Sequence, residues 1–159
     1  MSLQIRAATR GDVPLIFELV KALAEYEREP DAVKASESDL ARTLFDDGAT
    51  AHCVICEQDG VAVGFAVYFF NYSTWLGRNG LYLEDLFVRP EARGQGAGLA
   101  LLRHLAGLAV DKGCGRFEWS VLDWNQPAID FYRAAGARPM DAWTVYRMDG
   151  QTLADFARG

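Results

Sequence analysis

The residues best suited to chemistry are two neighbouring carboxylates, Glu84 and Asp85, which precede a glycine-rich segment at 93–98. A carboxylate can attract an ammonium group and accept its proton, as general bases do. A glycine-rich segment leaves backbone N–H groups uncovered, and at the start of a helix such groups bind phosphate or pyrophosphate. The pattern predicts an anion-binding loop beside a base, although the glycines alone are equally consistent with a tight strand-to-helix turn.

Two phosphate-binding motifs do not fit the glycine-rich segment. A dinucleotide fingerprint requires the spacing G-x-G-x-x-G, and Leu99 occupies the third glycine position after Gly94 and Gly96. A P-loop requires Lys followed by Ser or Thr after the last glycine, whereas Gly98 is followed by Leu99 and Ala100. A nucleotide-binding module is therefore not favoured.

The elements that must hold these residues in place are predicted from hydrophobic periodicity, capping signals and turn signals. Strands are predicted over residues 4–8, 51–57, 61–71, 81–88, 116–122, 137–140 and 143–148. Helices are predicted over residues 12–25, 36–47, 99–113 and 126–135. This order predicts an α/β (α+β) protein with a mixed sheet of six to seven strands, helices on both faces, and a single domain over residues 1–159.

Composition restricts the class of partner. Half of the 159 residues are hydrophobic, and 22 Asp and Glu residues against 16 Lys and Arg residues give a net charge of -6. This acidic excess repels nucleic acid and anionic membranes, and it favours a cationic small molecule. No apolar run approaches the roughly 20 residues of a membrane-spanning helix, and no signal peptide is recognisable. A cytoplasmic location is expected.

The cysteines and histidines do not predict a redox or metal site. Three cysteines are an odd number, which does not suggest a disulfide framework. Cys53 and Cys56 have CxxC spacing, but a strand places their side chains on opposite faces, so buried apolar thiols are expected. His52 and His104 have no His or Asp neighbour at ligand spacing, and no metal is expected.

Several segments together resemble one family. Residues 93–98 match the R/Q-x-x-G-x-G/A signature of the GNAT superfamily of acyl-coenzyme A dependent N-acetyltransferases. Further segments resemble the diamine acetyltransferase branch, above all its thialysine acetyltransferase members, namely residues 24–27, 72–75, 82–88, 111–114 and 121–127. The likeness extends over residues 5–147. Near residues 139–143 the chain is shorter than the animal polyamine enzymes.

The resemblance implies a GNAT fold with a splayed cofactor cleft, acetyl-coenzyme A as acyl donor, and a homodimer in which residues 69–75 could supply the interface. It implies that backbone groups of residues 86–88 pair with the pantetheine arm and that residues 94–99 hold the pyrophosphate. The implied cofactor-binding residues are Leu86, Phe87, Val88, Arg93, Gly94, Gln95, Gly96, Ala97, Gly98, Leu99, Asn125 and Tyr132. The implied substrate-binding residues are Tyr26, Glu27, Trp75 and Asp141, to which the carboxylates Glu84 and Asp85 are added for their attraction to an ammonium. Glu27 also fits a solvated run of charges, and Trp75 also fits the core or a dimer surface.

Acetyl transfer to an amine needs a base and an acid. A primary amine has a pKa of about 10.4, so freeing it at neutral pH costs roughly 4 kcal/mol unless a base accepts the proton. Glu84 is the predicted base and Asp85 a substrate or structural contact, since neighbouring strand residues face opposite sides unless a bulge intervenes. The resemblance places Tyr132 on the general acid. Its phenol is suited to protonating a thiolate, although its position also fits packing with Phe131.

The predicted function is direct transfer of acetyl from acetyl-coenzyme A to the amine of a small cationic substrate, with no covalent enzyme intermediate. The substrate class is a polyamine, a diamine, or a thialysine or lysine analogue. Two alternatives stay open: an acetyltransferase for protein or peptide amines, which needs an open peptide groove, and a non-catalytic acyl-coenzyme A sensor. The presence of Tyr132 counts against the sensor, which would not need an acid.

Overall fold

The structure, a computed structural model, describes residues 2–159. In that range the chain forms five β-strands and five α-helices. The strands are β1 (Leu3–Ala7), β2 (Ala51–Gln58), β3 (Val61–Ser73), β4 (Arg78–Val88) and β5 (Phe117–Trp119). The helices are α1 (Val13–Tyr26), α2 (Glu37–Phe45), α3 (Ala97–Asp111), α4 (Gln126–Ala134) and α5 (Gly150–Arg158).

The strands form one mixed sheet in the order β1-β2-β3-β4-β5. The first four strands pair antiparallel as a meander, and β5 pairs parallel with β4. The β2–β3 hairpin turns at Asp59 and Gly60, whose φ angles of 51° and 83° fit the left-handed turn that these residue types favour. The predicted α/β class and mixed sheet are confirmed, and so is this hairpin.

Helices cover both faces of the sheet. On one face, α1 buries Ile16, Leu19 and Leu23 at helical spacing against side chains that include Phe65 and Phe87. On the other face, α3 packs against β1, β3 and β4. Its buried residues Leu101, Leu102, Leu105 and Ala109 lie outside the cluster of α1. The sheet is therefore enclosed between α1 and α3, as predicted.

The cysteines follow the strand alternation expected for them. Cys53 belongs to the core cluster under α1, and Cys56, three positions further along β2, is completely buried outside that cluster. Burial raises the pKa of Cys53 to about 12 and also raises the pKa of Cys56. Both thiols and Cys114 are free. Cys53 and Cys56 are therefore buried apolar thiols, as predicted.

Two predicted strands are wrong. Residues 137–140 and 143–148 form no strand, so the sheet has five strands where six to seven were predicted. The sequence of 143–148 has strand-like composition, but a strand requires a hydrogen-bonding neighbour, and β5 pairs with β4 alone. Val145 and Tyr146 remain 84% and 92% exposed. The helix α5, which follows this segment, was not predicted.

The chain divides into two compact units. One contains the residues up to Ser120, which include the complete sheet with α1, α2 and α3. The other runs from Val121 to Gly159 and contains α4 and α5. The carboxylate pair and the glycine-rich segment lie in the first unit, whereas Asn125, Tyr132 and Asp141 lie in the second.

Close packing at the carboxyl end of β4 leads to a first testable prediction. A Cβ on Gly64 would lie 2.6 Å from the carbonyl oxygen of Phe87 and 3.2 Å from Val88 Cγ2. We expect Gly64→Ala to lower the free energy of unfolding by about 1 to 3 kcal/mol, because β4 must shift. Urea denaturation measures the change.

Gly107→Ala is the matched control for this glycine substitution. Gly107 lies inside α3, and a Cβ there would meet no atom within 4 Å apart from its chain neighbours and the backbone of its own helix. Removing a glycine from a helix interior should raise the free energy of unfolding by about 0.5 to 1 kcal/mol. A Gly64→Ala protein that is as stable as the parent would contradict the close approach of the two strands.

Candidate active site

One edge of β4 is open at its carboxyl end. The parallel strand β5 pairs only with Leu81, Tyr82 and Leu83, although β4 continues to Val88. On its other edge β4 remains paired with β3 as far as Val88. No strand among residues 2–159 pairs with the β5-facing edge beyond Leu83. Backbone N–H and C=O groups of residues 84–88 on that side can therefore receive an added strand-like ligand.

A bulge interrupts β4 at the carboxylate pair. Leu83 lies opposite Tyr68, and Asp85 lies opposite Val67, so Glu84 is the extra residue in the ladder. In a bulge, two residues oppose one on the partner strand, and strict alternation of faces is lost. The condition under which Glu84 and Asp85 could act together is thus met.

Three carboxylates lie near one another at this bulge. Asp85 is largely buried, and its pKa is raised to about 6 by burial first, then by repulsion from Glu84 and from Glu27. Glu27 is the cap residue directly after the end of α1, and burial also raises its pKa. Glu84 is exposed to solvent. We call Glu27, Glu84 and Asp85 the acidic trio, and its negative charge is suited to a cationic group.

The shifted pKa of Asp85 predicts how stability depends on pH. The folded-state pKa of about 6 lies above the usual value of 3.8. The folded protein therefore binds more protons between these pH values, and stability is lost as pH rises through that window. We expect Asp85→Asn to raise the free energy of unfolding by roughly 1 to 3 kcal/mol at pH 8 and to change little at pH 3.5.

Urea denaturation at the two pH values measures this effect. Asp47→Asn, at an exposed carboxylate just after α2, is the control and should give the same small change at both pH values. An Asp85→Asn protein that gains no stability at pH 8 would contradict the burial of this charge.

The glycine-rich segment has the geometry predicted for it. Gly94 and Gly96 adopt left-handed φ angles of 79° and 91°, and Gly96 caps α3, which begins at Ala97. The first N–H groups of a helix have no acceptor within the helix, and they point outward from its start. Gln95 is fixed by a side-chain hydrogen bond from Gln58 at the end of β2. The loop therefore presents helix N–H groups to an anion.

Arg93 is held at the start of this loop by three contacts. Its Nε donates a hydrogen bond to the carbonyl oxygen of Val88 at 3.0 Å. Its guanidinium carbon lies 4.8 Å from the ring centre of Tyr26 and 5.4 Å from that of Phe87. Tyr26, expected beside the amine, is thus in contact with the arginine at the start of the glycine-rich segment. The sequence gives no signal for this pair, since 67 positions separate the two residues.

The second unit holds three of the sequence-predicted residues. Asn125 is buried, and its Oδ1 accepts a hydrogen bond from the N–H of Ala128 at 3.4 Å, which caps α4. Tyr132 is half-buried on α4, with its ring centre 5.5 Å from that of Phe131. Asp141 is exposed in the irregular segment after α4. Asn125 thus has a local structural role as the cap of α4, and its role at the cofactor stays a prediction.

Trp75 is not brought to the acidic trio within the chain. It lies in the turn between β3 and β4 and is 87% exposed. The bulge at Asp85 is ten positions further along, and a strand rises about 3.3 Å per residue. Seven of those ten steps run along β4, from Arg78 to Asp85. They place the backbone of the hairpin tip roughly 23 Å or more from the backbone at Asp85.

In the part of the chain that the structure describes, no group of His, Cys, Asp and Glu side chains could hold a metal ion. None of the described helices is long and apolar enough to cross a bilayer.

The chain belongs to the GNAT acetyltransferase family, whose model, "Acetyltransferase (GNAT) family", matches residues 16–137. It is an N-acetyltransferase by this family and by its relatives. A thialysine N-epsilon-acetyltransferase of Sus scrofa is 41% identical over 167 residues, which cover 98% of each chain. A human spermidine/spermine N(1)-acetyltransferase-like protein 1 is 35% identical, over 97% of this chain and 24% of its own. The predicted family and branch are confirmed.

A solved structure supports the fold independently. An integron cassette protein from the mobile metagenome of V. cholerae superimposes with a TM-score of 0.83 and 29% identity. The alignment covers 100% of this chain and 99% of that chain. The predicted GNAT fold class is therefore confirmed.

Proposed function

We propose that this protein transfers acetyl from acetyl-coenzyme A directly to a primary amine of a small cationic substrate. The substrate class is a polyamine, a diamine, or a thialysine or lysine analogue. The observation that carries the proposal is the acidic trio at the bulge of β4, which adjoins the glycine-rich loop in the same unit. The names of the relatives, with thialysine and spermidine or spermine as substrates, support it.

The residues present fit acetyl-coenzyme A. Its thioester supplies an activated acetyl group. The open edge of Leu86, Phe87 and Val88 can pair with the amides of the pantetheine arm. Residues 94–99 offer helix N–H groups to the pyrophosphate, and a side chain at Gly94 would meet nothing within 4 Å, so the loop leaves room for a ligand. We assign Arg93 as the accompanying cation and Asn125 as a further hydrogen-bonding group.

We assign Glu84 as the base. Glu84 is the exposed member of the pair, so it can pass the proton of the ammonium to solvent, directly or through a water. Asp85 is largely buried, and with a pKa of about 6 it is still mostly ionised at pH 7, so its negative charge attracts the ammonium. Glu27 adds to the same attraction. As the nitrogen attacks, a backbone N–H of residues 86–88 stabilises the negative charge on the acetyl oxygen.

We assign Tyr132 as the acid that protonates the thiolate of the departing coenzyme A. A phenol with a pKa of about 10 is matched to a thiol with a pKa of about 8.5, so proton transfer costs little. Tyr132 on α4 is half-buried, which limits its exchange with bulk water. No residue becomes acetylated in this scheme.

The remaining assignments complete the proposal. Asp141 is assigned to the surroundings of the amine. The sequence also predicts Tyr26 and Trp75 there, but Tyr26 contacts Arg93, and Trp75 is exposed at a hairpin tip far from the acidic trio of its own chain. The chain acts as one domain and as a homodimer, for which the exposed aromatic residues near Trp75 provide apolar surface. The partner is a small molecule, with neither nucleic acid nor membrane involved, and the location is cytoplasmic.

Thiol release tests the proposal. The protein is mixed with acetyl-coenzyme A and either spermidine, putrescine, thialysine, lysine or a short lysine-containing peptide, and free thiol is followed. We expect release above hydrolysis with one or more of the four small amines and not with the peptide. Release with the peptide alone would indicate a protein acetyltransferase. No release with any amine, together with tight binding of acetyl-coenzyme A, would indicate a sensor.

A further inference from the structure

Arg93 is oriented more tightly than an exposed loop arginine needs to be. A guanidinium carries five N–H donors in a planar fork, and one of them, Nε, is used by the carbonyl oxygen of Val88. The charged plane also lies within cation–π distance of two rings, those of Tyr26 and Phe87. These contacts fix the plane of the fork relative to the end of β4.

The outer half of this fork is not used by the protein. Neither terminal nitrogen of Arg93 makes a hydrogen bond or ion pair with any residue in the range 2–159. No carboxylate of the acidic trio pairs with it, although α1 contributes both Tyr26 and Glu27. An arginine with a fixed plane and free outer donors is prepared for a bidentate anion such as a phosphate group.

Tyr26 is the residue that makes this orientation depend on α1. Phe87 is buried in the core beneath α1, and Tyr26 packs against the same core cluster from the last turn of α1. The ring of Phe87 is thus fixed by the sheet, whereas the ring of Tyr26 is brought to Arg93 by the helix. The residue after Tyr26 is Glu27, a member of the acidic trio.

We propose that Tyr26 is a positioning residue for the cofactor: its ring holds Arg93 so that the free end of the guanidinium meets the pyrophosphate of acetyl-coenzyme A. This inference rests on the proposed function, because it takes residues 93–98 as the pyrophosphate site. It changes the role of Tyr26, which then acts on cofactor affinity and not on the amine. It also links the end of α1 that carries Glu27 to the occupancy of the cofactor loop.

The test compares donors with and without a pyrophosphate. Tyr26→Leu, Tyr26→Phe, Arg93→Ala and the Tyr26→Leu/Arg93→Ala double variant are prepared. Calorimetry gives the Kd of coenzyme A. Initial rates give kcat/KM with acetyl-coenzyme A and with S-acetylpantetheine, an acetyl donor that lacks the pyrophosphate, and the KM of the amine. Phe17→Leu is the matched control, because it removes a similar contact on α1, with Lys21 Nζ 4.4 Å from the Phe17 ring centre.

Loss of one cation–π contact should weaken coenzyme A binding about three- to fivefold in Tyr26→Leu. Tyr26→Phe, which keeps a ring, should weaken it less than about twofold. The kcat/KM with S-acetylpantetheine and the KM of the amine should stay at the parent values. The double variant should bind coenzyme A no more weakly than Arg93→Ala alone, since both changes remove one interaction. Phe17→Leu should leave the Kd unchanged.

Three results would overturn the inference. The first is a raised amine KM in Tyr26→Leu with an unchanged coenzyme A Kd, which would show that Tyr26 acts on the amine. The second is additive losses in the double variant, which would show that the two side chains act independently. The third is a fall in kcat/KM of Tyr26→Leu that is as large with S-acetylpantetheine as with acetyl-coenzyme A. Failure of the proposed function itself is distinguishable, because the parent protein would then acetylate none of the small amines, whatever its Kd for coenzyme A.

Discussion

Replacing Tyr132 by phenylalanine should lower kcat about 100-fold or more, because a positioned general acid contributes at least that factor to a proton transfer. The substitution keeps the aromatic ring, so the contact with Phe131 on α4 is retained. The departing thiolate must then take its proton from water. The Kd of coenzyme A should change less than about twofold, since Phe retains the ring. Steady-state kinetics and calorimetry measure the two quantities.

The control for this variant is Tyr146→Phe, at a tyrosine that is 92% exposed in the same unit. It should have the kcat of the parent. Thermal unfolding of both variants shows whether the fold is intact. An unchanged kcat in a folded Tyr132→Phe protein would remove Tyr132 from the role of acid.

Replacing Glu84 by glutamine is the second change with a large expected effect. Near pH 7 we expect kcat/KM for the amine to fall by about 100-fold, because the ammonium loses its proton acceptor. The loss should diminish as pH rises, since each pH unit below about 10.4 gives roughly ten times more free amine. The bulge at Glu84 depends on backbone pairing, so the fold should persist. The measurement is the pH profile of kcat/KM for parent and variant.

Asp85→Asn is the matched control, because it makes the same chemical change one position further along β4. Removing this buried charge should raise the KM of the amine severalfold. The pH dependence of kcat/KM should keep the shape that it has in the parent. If Asp85→Asn and not Glu84→Gln needs high pH for activity, the base is Asp85. A Glu84→Gln profile that matches the parent at every pH would exclude Glu84 as the base.

The sequence predicts most of the architecture that positions this site. The apolar run before the glycine-rich segment predicts β4, the Asp59-Gly60 pair predicts the β2–β3 turn, and the periodicity at 99–113 predicts α3. Each of these signals is local, since turn chemistry and helical spacing depend on neighbours in sequence. The predictions of β4, the β2–β3 turn and α3 therefore do not depend on how the strands pair in the sheet.

The sequence does not predict the bulge at Glu84; it shows only that a bulge is needed if Glu84 and Asp85 are to face the same side. Whether a strand has an extra residue depends on its register with β3, where Asp85 meets Val67 and Leu83 meets Tyr68. That register follows from packing of the whole sheet and not from the letters around Glu84. The contact between the Arg93 guanidinium and the Tyr26 ring is likewise tertiary, so composition and spacing do not indicate it.

The two closing strands show the opposite error. Residues 143–148 have the alternation and the β-branched and aromatic content typical of a strand, which is a local signal. A strand also needs a neighbour with free N–H and C=O groups, and the ladder of this chain ends at β5. The local pattern at 143–148 therefore predicts a strand, but no strand forms there because no neighbouring strand pairs with it.

The central claim is direct transfer of acetyl to a small cationic amine, and single-turnover mass spectrometry tests it most directly. The protein, in excess over acetyl-coenzyme A, is mixed with spermidine or thialysine and quenched at intervals. We predict that the amine gains the mass of one acetyl group as free coenzyme A appears, in equal amounts, while the mass of the protein never changes. Acetyl that accumulates on the protein, or free coenzyme A that appears without acetylated amine, would contradict the claim.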